Sequence, residues 1–250
     1  HRWGSSIPGV VRRLPTSATP RIALTFDACG GPGGDGYDEA LIELLKWERI
    51  AATLFVTARW LASHREAGMQ LAQEPLFQIE NHGSRHLPCT TEGRVAFGIP
   101  GPSDRREARK EIVEGRRAIA SLGVKSPRYF RPGTGYFDPP CLALVRDLDA
   151  VPLGFTVSGD GAGTFDRARI ARTLTRASRG AIVLMHMNHP EFDTAEGLAD
   201  ALPAMRARSL RFVTLSEAFA PDRPPGSKSE RSGVEQPDLA PSTDTARMHR

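Results

Sequence analysis

The chain has 250 residues, of which 40% are hydrophobic and 25% charged, with a net charge of +4, a composition typical of a globular protein. Its longest strictly apolar run, residues 181–185, is too short to cross a bilayer. In the most basic stretch, residues 105–111, Glu107 and Glu111 interrupt the arginines and lysine. This pattern indicates a solvated helix face rather than a nucleic-acid groove. We therefore expect neither nucleic acid nor stable membrane insertion.

The two ends of the chain differ in composition from the middle. Residues 1–20 contain scattered prolines and little periodicity, which predicts an extended lead-in to a barrel at residues 21–220. Residues 221–250 hold almost no large apolar side chains, which predicts a disordered tail. The first residue is His1 rather than Met, which is compatible with removal of a signal peptide, and we expect a periplasmic or secreted protein.

The three cysteines are Cys29, Cys89 and Cys141, and no two of them form a CxxC pair. A structural zinc knuckle is thereby excluded. An odd number of cysteines leaves at least one thiol unpaired.

Hydrophobic patterning predicts an alternation of strands and helices along the chain. Short apolar runs predict strands at residues 21–27, 52–57, 76–79, 129–132, 151–157, 181–185 and 211–213. Helical spacing predicts helices at residues 38–49, one or two from 60 to 72, then 104–122, 141–148, 166–178, 195–208 and 215–219. Asp38 and Asp166 are the expected N-caps of two of these helices. The alternation predicts a mainly parallel sheet, as a (β/α) barrel or alternatively as an open doubly wound sheet.

Polar side chains that suit catalysis follow the ends of the predicted strands. The catalytic ends of parallel strands lie on one face of a barrel, so these side chains should meet at a single mouth. They are Asp27, His82, His86, Arg131, Asp160 and His186.

His82 and His86 are spaced so that both would lie on one face of a helical turn, where they could share a cation. The alternative is a solvated loop with no ligand. Because the pair directly follows a strand end, we favour the metal site.

Two further pairs are predicted at the same mouth. Asp27 ends a buried strand and needs a partner, and the guanidinium of Arg131 could hold its carboxylate ionised and oriented. Asp160 could fix the tautomer of His186 and raise its pKa, so that the other ring nitrogen delivers a proton. The alternative for Asp27 is a purely structural ion pair, and for His186 a buried core histidine.

Taken in order, these segments resemble the polysaccharide deacetylase family, the NodB-homology group of carbohydrate esterase 4. The residues that carry the resemblance are Thr25-Phe26-Asp27 with the glycine-rich loop after it, His82-Gly83-Ser84-Arg85-His86, Tyr129-Phe130-Arg131-Pro132-Gly133-Thr134-Gly135, Asp160, and Leu184-Met185-His186. The family's second motif has Ser or Thr where this chain has Gly83. The resemblance covers roughly residues 20–220.

The resemblance implies a distorted (β/α)7 barrel and metal-dependent removal of acetyl groups from an N- or O-acetylated polysaccharide of the peptidoglycan or chitin type. It implies that Asp27 is the catalytic base, oriented by Arg131, and that His186 is the general acid, tuned by Asp160. His82 and His86 would bind a divalent metal, with Zn²⁺ the first choice. Thr134, Gly135 and Tyr136 would contact the substrate, with a backbone N–H near Thr134 holding the oxyanion.

One departure from the family pattern affects the metal site. Ala28 stands where the family has a second Asp, the third metal ligand, and a methyl group cannot coordinate a cation. Asp27, Cys29 or water could supply the third ligand, with Asp35 and Asp38 as further candidates in the same loop. A thiolate would favour zinc, while the alternative for Cys29 is a small buried filler.

The same departure keeps two other functions open. One is a barrel that binds glycan but no longer catalyses, and the other is a deacylase of a non-glycan amide or ester. The few aromatic residues predict no obvious sugar-stacking row, although Trp60, Tyr136 and Phe137 could line a groove. For Trp60 we favour a place in the core.

Overall fold

The computed structural model describes residues 2–125 and 127–220; the tail predicted at 221–250 lies outside the described residues. Residues up to Ala220 form one compact unit. Its strands are β1 (Arg21–Ala28), β2 (Ala52–Val56), β3 (Phe77–Asn81), β4 (Val95–Ala96), β5 (Ile99–Pro100), β6 (Tyr129–Phe130), β7 (Val151–Pro152), β8 (Val157–Ser158), β9 (Ile182–His186) and β10 (Arg211–Phe212).

Helices alternate with these strands, as the sequence predicts. They are α1 (Glu39–Trp47), α2 (Ala58–Ser63), α3 (Arg65–Gln73), α4 (Arg105–Ala120), α5 (Pro139–Asp147), α6 (Arg167–Arg176), α7 (Thr194–Ala207) and α8 (Leu215–Phe219). The side chains of Asp38 and Asp166 accept hydrogen bonds from Leu41 N and Arg169 N, so both predicted N-caps are confirmed.

The main sheet has the order β7-β6-β3-β2-β1-β9-β8, with β10 paired to the start of β1, and all of these pairings are parallel. The two outermost strands, β7 and β8, are joined by only residues 153–156. That linker spans at most about 18 Å, whereas a flat seven-stranded sheet would separate its edges by about 29 Å. The sheet must therefore curve into a barrel, which confirms the predicted (β/α)7 class over the open alternative.

The barrel is filled and covered by apolar side chains. Every residue of β1 except Arg21, and every residue of β2, is buried, as expected for parallel strands with both faces covered. Trp60 is buried in the same core, and its indole N–H donates to Gly36 O at 2.8 Å, so its predicted place in the core is confirmed.

The segment before β1 lies against the barrel. Val11 and Arg13 form isolated bridges with Leu153 and Ala181, and Leu14 is buried. The boundaries predicted for the lead-in, barrel and tail remain predictions.

Three local predictions are wrong. The strand expected at 151–157 is split into β7 and β8, because the chain between them crosses from one edge of the sheet to the other. The loop of residues 82–86 is not a helical turn, and His86 has a left-handed φ of +66°. Glu111, assigned to a solvated helix face, is only 3% exposed. The antiparallel hairpin β4–β5 and the disulfide between Cys89 and Cys141 were not predicted from the sequence.

Candidate active site

The carboxyl ends of the central strands bring the predicted catalytic residues together. The register between β1 and β9 places Asp27 beside His186, and Arg131 N donates to Asn81 O at the end of β3. These groups open onto a cleft of about 500 Å³. Of the predicted site residues, Asp27, Cys29, His86, Arg131, Thr134, Gly135, Tyr136 and His186 line this cleft, and His82 and Asp160 lie behind them.

Asp27 and Arg131 form a buried ion pair. Arg131 Nη1 donates to Asp27 Oδ1 at 2.7 Å, and its Nη2 donates to Thr25 Oγ1 at 2.9 Å. The guanidinium is fully buried and stacks 4.3 Å from the centroid of the Phe55 ring. Burial alone would raise the pKa of Asp27, but the charge of Arg131, together with His82 and His186, holds that pKa below its ordinary value. The second oxygen, Oδ2, lies 3.5 Å from His82 Nε2.

His186 is held by Asp160. Both carboxylate oxygens of Asp160 lie within 3.2 Å of His186 Nδ1, and Oδ2 also accepts from the His186 backbone N–H at 2.6 Å. Burial lowers the pKa of His186, but the hydrogen bond and charge of Asp160 outweigh it, and the pKa lies above its ordinary value. With Nδ1 engaged by the carboxylate, Nε2 is the nitrogen available to a bound molecule.

His82 is oriented by a backbone carbonyl. Its Nδ1 lies 2.7 Å from Arg131 O, so Nδ1–H donates there and the lone pair of Nε2 is directed towards the site. Nε2 lies 3.9 Å from Cys29 Sγ and 3.5 Å from Asp27 Oδ2. Burial lowers the pKa of His82, which favours the neutral form that a metal ligand needs.

Cys29, His82 and His86 present one nitrogen or sulfur atom each, and these three atoms lie within 4.8 Å of one another. Burial lowers the pKa of His86 to about 3, so it is neutral. Burial raises the pKa of the Cys29 thiol, a shift that a bound cation would reverse. One sulfur and two imidazole nitrogens form a donor set that suits zinc, and the residues present therefore fit a divalent metal.

The other predicted ligand candidates lie elsewhere. The Asp38 carboxylate caps α1, and Asp35 Oδ1 lies 3.9 Å from His64 Nε2. The methyl group of Ala28 is buried in the apolar layer between the sheet and the helices.

The segment after Arg131 forms one wall of the cleft. It makes a short 3₁₀ turn, Gly133–Gly135, in which Thr134 has a φ of +69°. A Cβ at position 133 would stand 2.2 Å from the carbonyl of His86, so this position requires glycine. The Thr134 hydroxyl is buried without a hydrogen-bond partner in the described part of the chain. It is therefore available to a bound molecule.

The mouth of the cleft carries aromatic side chains that the sequence pattern does not predict there. Phe97, at the tip of the β4–β5 hairpin, is 78% exposed and packs edge-on against Tyr136, with ring centroids 5.4 Å apart. Trp3 also packs edge-on against Tyr136, with ring centroids 5.3 Å apart. The hydrophobic pattern does not predict this cluster, because strands of two residues are too short to show a periodic pattern. Phe137, suggested as a groove residue, is instead buried.

The fold and this arrangement define a (β/α)7 barrel with a candidate hydrolytic centre at the carboxyl ends of its strands. The sequence pattern described as Polysaccharide deacetylase matches residues 15–152, more than half of the chain. The chain belongs to the polysaccharide deacetylase family.

Individual relatives are identical to this chain at about a quarter of the aligned positions. A peptidoglycan-N-acetylglucosamine deacetylase of Bacillus cereus (strain ATCC 14579) is 25% identical over 200 residues, covering 78% of this chain and 86% of the relative. The uncharacterized protein YlxY of Bacillus subtilis (strain 168) is 24% identical over 206 residues, covering 79% of this chain. The match spans only 57% of YlxY.

Among solved structures, wild-type BA3943 from Bacillus anthracis, described as a CE4 family pseudoenzyme, has a TM-score of 0.69 and 20% identity. That match covers 85% of this chain and 69% of BA3943. At this identity the likeness establishes the fold alone.

Proposed function

We propose that this chain is a metal-dependent hydrolase that removes acetyl groups from an N- or O-acetylated polysaccharide of the peptidoglycan or chitin type. The observation that carries the proposal is the convergence on one cleft of a metal donor set, an ionised carboxylate and a carboxylate-bound imidazole. Membership of the polysaccharide deacetylase family and the similarity to a peptidoglycan-N-acetylglucosamine deacetylase support it.

Cys29, His82 and His86 would hold the cation, with Zn²⁺ as the first choice. When bound, such a cation lowers the pKa of water and polarises the acetyl carbonyl. Asp27 is not part of this donor set although its Oδ2 lies 3.5 Å from His82 Nε2, and that position suits a base better than a third ligand.

The chain's own residues supply the proton transfers. Asp27 Oδ2 accepts a proton from water as the water oxygen adds to the acetyl carbon, while Arg131 keeps the carboxylate ionised and oriented. His186 Nε2 then donates a proton to the leaving nitrogen or oxygen as its bond to carbon breaks, giving acetate and the free amine or alcohol. An amide needs this acid more than an ester does, because an amine anion is a poor leaving group. Thr134 and its backbone would contact the oxygen that gains negative charge, and Gly135 and Tyr136 would contact the sugar.

One observation bears on where such a protein works. The disulfide between Cys89 and Cys141 is typical of exported proteins, and we propose a periplasmic or secreted location. Among the helices that the structure describes, none has the length and hydrophobicity needed to cross a membrane.

The test is acetate release from acetylated chitin oligomers and peptidoglycan fragments, measured on chelated protein and on protein reconstituted with Zn²⁺. We expect activity only after reconstitution, and we expect Asp27→Asn to abolish turnover while metal content stays nearly unchanged. Persistent activity in Asp27→Asn would show that the base is assigned wrongly. A reconstituted protein that binds glycan without releasing acetate would be the non-catalytic barrel that the loss of the family's Asp at Ala28 also allows.

A further inference from the structure

The loop that carries His82 and His86 is held from behind by helix α4. The carboxylate of Glu111, on the inner face of α4, is 3% exposed. Its Oε1 accepts three backbone hydrogen bonds, from Ser84 N at 3.0 Å, Arg85 N at 2.8 Å and Leu87 N at 3.2 Å. A single buried oxygen therefore accepts the N–H groups of three residues of this segment.

The strained residue of the loop, His86, lies between two of the residues that donate these hydrogen bonds. His86 has a φ of +66°, a conformation that costs a non-glycine residue of this kind about 1 kcal/mol or more unless its surroundings enforce it. Arg85 and Leu87, its neighbours on both sides, donate to the same Glu111 oxygen. Gly133 packs closely against the backbone of His86, since a Cβ there would stand 2.2 Å from the His86 carbonyl.

Gly83 and Glu111 are sterically matched. A Cβ on residue 83 would stand 2.5 Å from Glu111 Oε1, so a side chain at that position and the Glu111 carboxylate cannot both be present without a shift. Gly83 also has a φ of +87°. The glycine that departs from the family's Ser or Thr is thus the residue that admits the carboxylate to the loop.

A second contact between α4 and the loop fixes the His82 end. Asn81 Oδ1 accepts from Gly83 N at 2.9 Å, and Asn81 Nδ2 donates to Ile112 O at 2.9 Å. Gly115 leaves room for this contact, because a Cβ there would lie 2.3 Å from Asn81 Oδ1.

We propose that Glu111 is a positioning residue for the candidate metal site: its carboxylate fixes the backbone of residues 84–87, so that His86 presents its ring to the point shared with His82 and Cys29. This rests on the proposed metal-dependent function. Glu111 itself touches neither metal nor substrate. Its removal frees His86 to relax to an ordinary backbone conformation, which withdraws one of the three donor atoms.

The experiment measures metal binding by folded protein rather than activity alone. Wild type, Glu111→Ala and Glu111→Gln are stripped with chelator and titrated with Co²⁺, whose absorption bands report both thiolate coordination and geometry. Zn²⁺ dissociation constants come from competition with a chelating dye. Glu114→Ala is the matched control, because Glu114 lies on the same helix and contacts the loop through the Ser84 hydroxyl, at 3.2 Å, while its other oxygen pairs with Lys110 at the surface.

We expect Glu111→Ala to weaken Zn²⁺ binding by about 10- to 100-fold, the usual effect of losing a group that orients a ligand, and to alter the Co²⁺ spectrum. Glu111→Gln keeps an acceptor oxygen and should recover most of the affinity, and Glu114→Ala should stay within about twofold of wild type. If Glu111→Ala does not fold, Glu111→Asp, which withdraws the carboxylate by one methylene, should show the same weakening.

Two results would overturn the inference, and they are distinguishable. A folded Glu111 variant with wild-type affinity and spectrum would show that Glu111 is only structural, and the proposed function would stand. If the wild-type protein takes up no Co²⁺, the proposed metal site does not exist, and the proposed role of Glu111 fails with it.

Discussion

Replacing Arg131 by Met should destabilise the protein strongly and in a pH-dependent way. Arg131 is fully buried, pairs with Asp27 at 2.7 Å and has a second hydrogen bond to Thr25. Removing one partner of such a pair leaves an uncompensated buried charge, which costs about 3–5 kcal/mol. Met fills much of the volume beside Phe55, so most of this penalty would be electrostatic rather than a cavity effect.

The direction of the pH dependence follows from Asp27. In wild type the pKa of Asp27 lies below the ordinary value because the charge of Arg131 outweighs burial. Its ionised carboxylate therefore stabilises the folded protein at pH values above the unfolded pKa, and this contribution disappears as pH falls through the folded pKa. Without Arg131, burial is the main remaining influence and the pKa of Asp27 moves above its ordinary value. The folded variant then gains stability as pH falls and the carboxyl becomes neutral. The difference between wild type and variant should therefore be largest near pH 8 and shrink towards pH 5.

The assay is urea unfolding of metal-free protein at pH 5 and pH 8, with Asp27→Asn and the Asp27→Asn/Arg131→Met double variant completing a cycle. We expect the two substitutions to be less costly together than their sum by about 2 kcal/mol, because the double variant leaves no unpaired charge. Arg206→Met is the matched control, since Arg206 pairs with Glu48 at the surface and should cost under about 1 kcal/mol. An additive cycle, or a penalty equal at both pH values, would refute the reasoning.

Three further predictions concern other parts of the molecule. Burial raises the pKa of Glu80 from 4.5 to about 7, so wild type should lose about 3 kcal/mol relative to Glu80→Gln as pH rises from below 4.5 to above 7, measured by urea unfolding. Phe97→Ala should raise KM for an acetylated oligosaccharide about fivefold with little change in kcat, because an exposed ring at the cleft mouth contributes about 1 kcal/mol to binding. Replacing Cys89 and Cys141 by Ala should cost roughly 4 kcal/mol in unfolding free energy, since the disulfide closes a loop with a sequence separation of 52.

Each of these has its own control. A free-energy difference between wild type and Glu80→Gln that is constant with pH would contradict the assignment at Glu80. Trp47→Ala removes an aromatic ring that is 85% exposed on α1, and an equal rise of KM in that variant would show that the Phe97 effect is not local. For the disulfide, reducing wild type should reproduce the loss seen in the double alanine variant.

The convergence of the candidate site residues was predictable because these residues lie at the ends of parallel strands. Asp27, Arg131 and His186 each follow a short apolar run, and parallel strands place such ends on one face whatever their separation in sequence. The barrel class followed from the same alternation. The hydrophobic period does not depend on the exact ends of a helix or strand. Errors of one or two residues in the predicted ends therefore do not affect the predicted fold class.

What could not be predicted depends on contacts between distant segments. Glu111 lies in a charged stretch that looks solvated, and only the docking of α4 on the loop of residues 82–86 buries it. The hairpin that presents Phe97 has two-residue strands, too short for any period to show. Pairing of Cys89 with Cys141 needed knowledge that the loop after His86 returns to the start of α5.

The proposed metal site has Cys29 as its third donor, whereas Ala28 has no donor atom. Successive side chains of a strand point to opposite faces, and in β1 Asp27 faces the cleft while Ala28 is buried against the helices. Cys29 follows, past the end of the strand, and faces the cleft again. Its backbone carbonyl accepts a hydrogen bond from the Thr57 hydroxyl at 2.8 Å, and its thiol lies beside His82 and His86. In the proposed metal site, Cys29 would supply a sulfur donor one residue after position 28, and sulfur favours zinc.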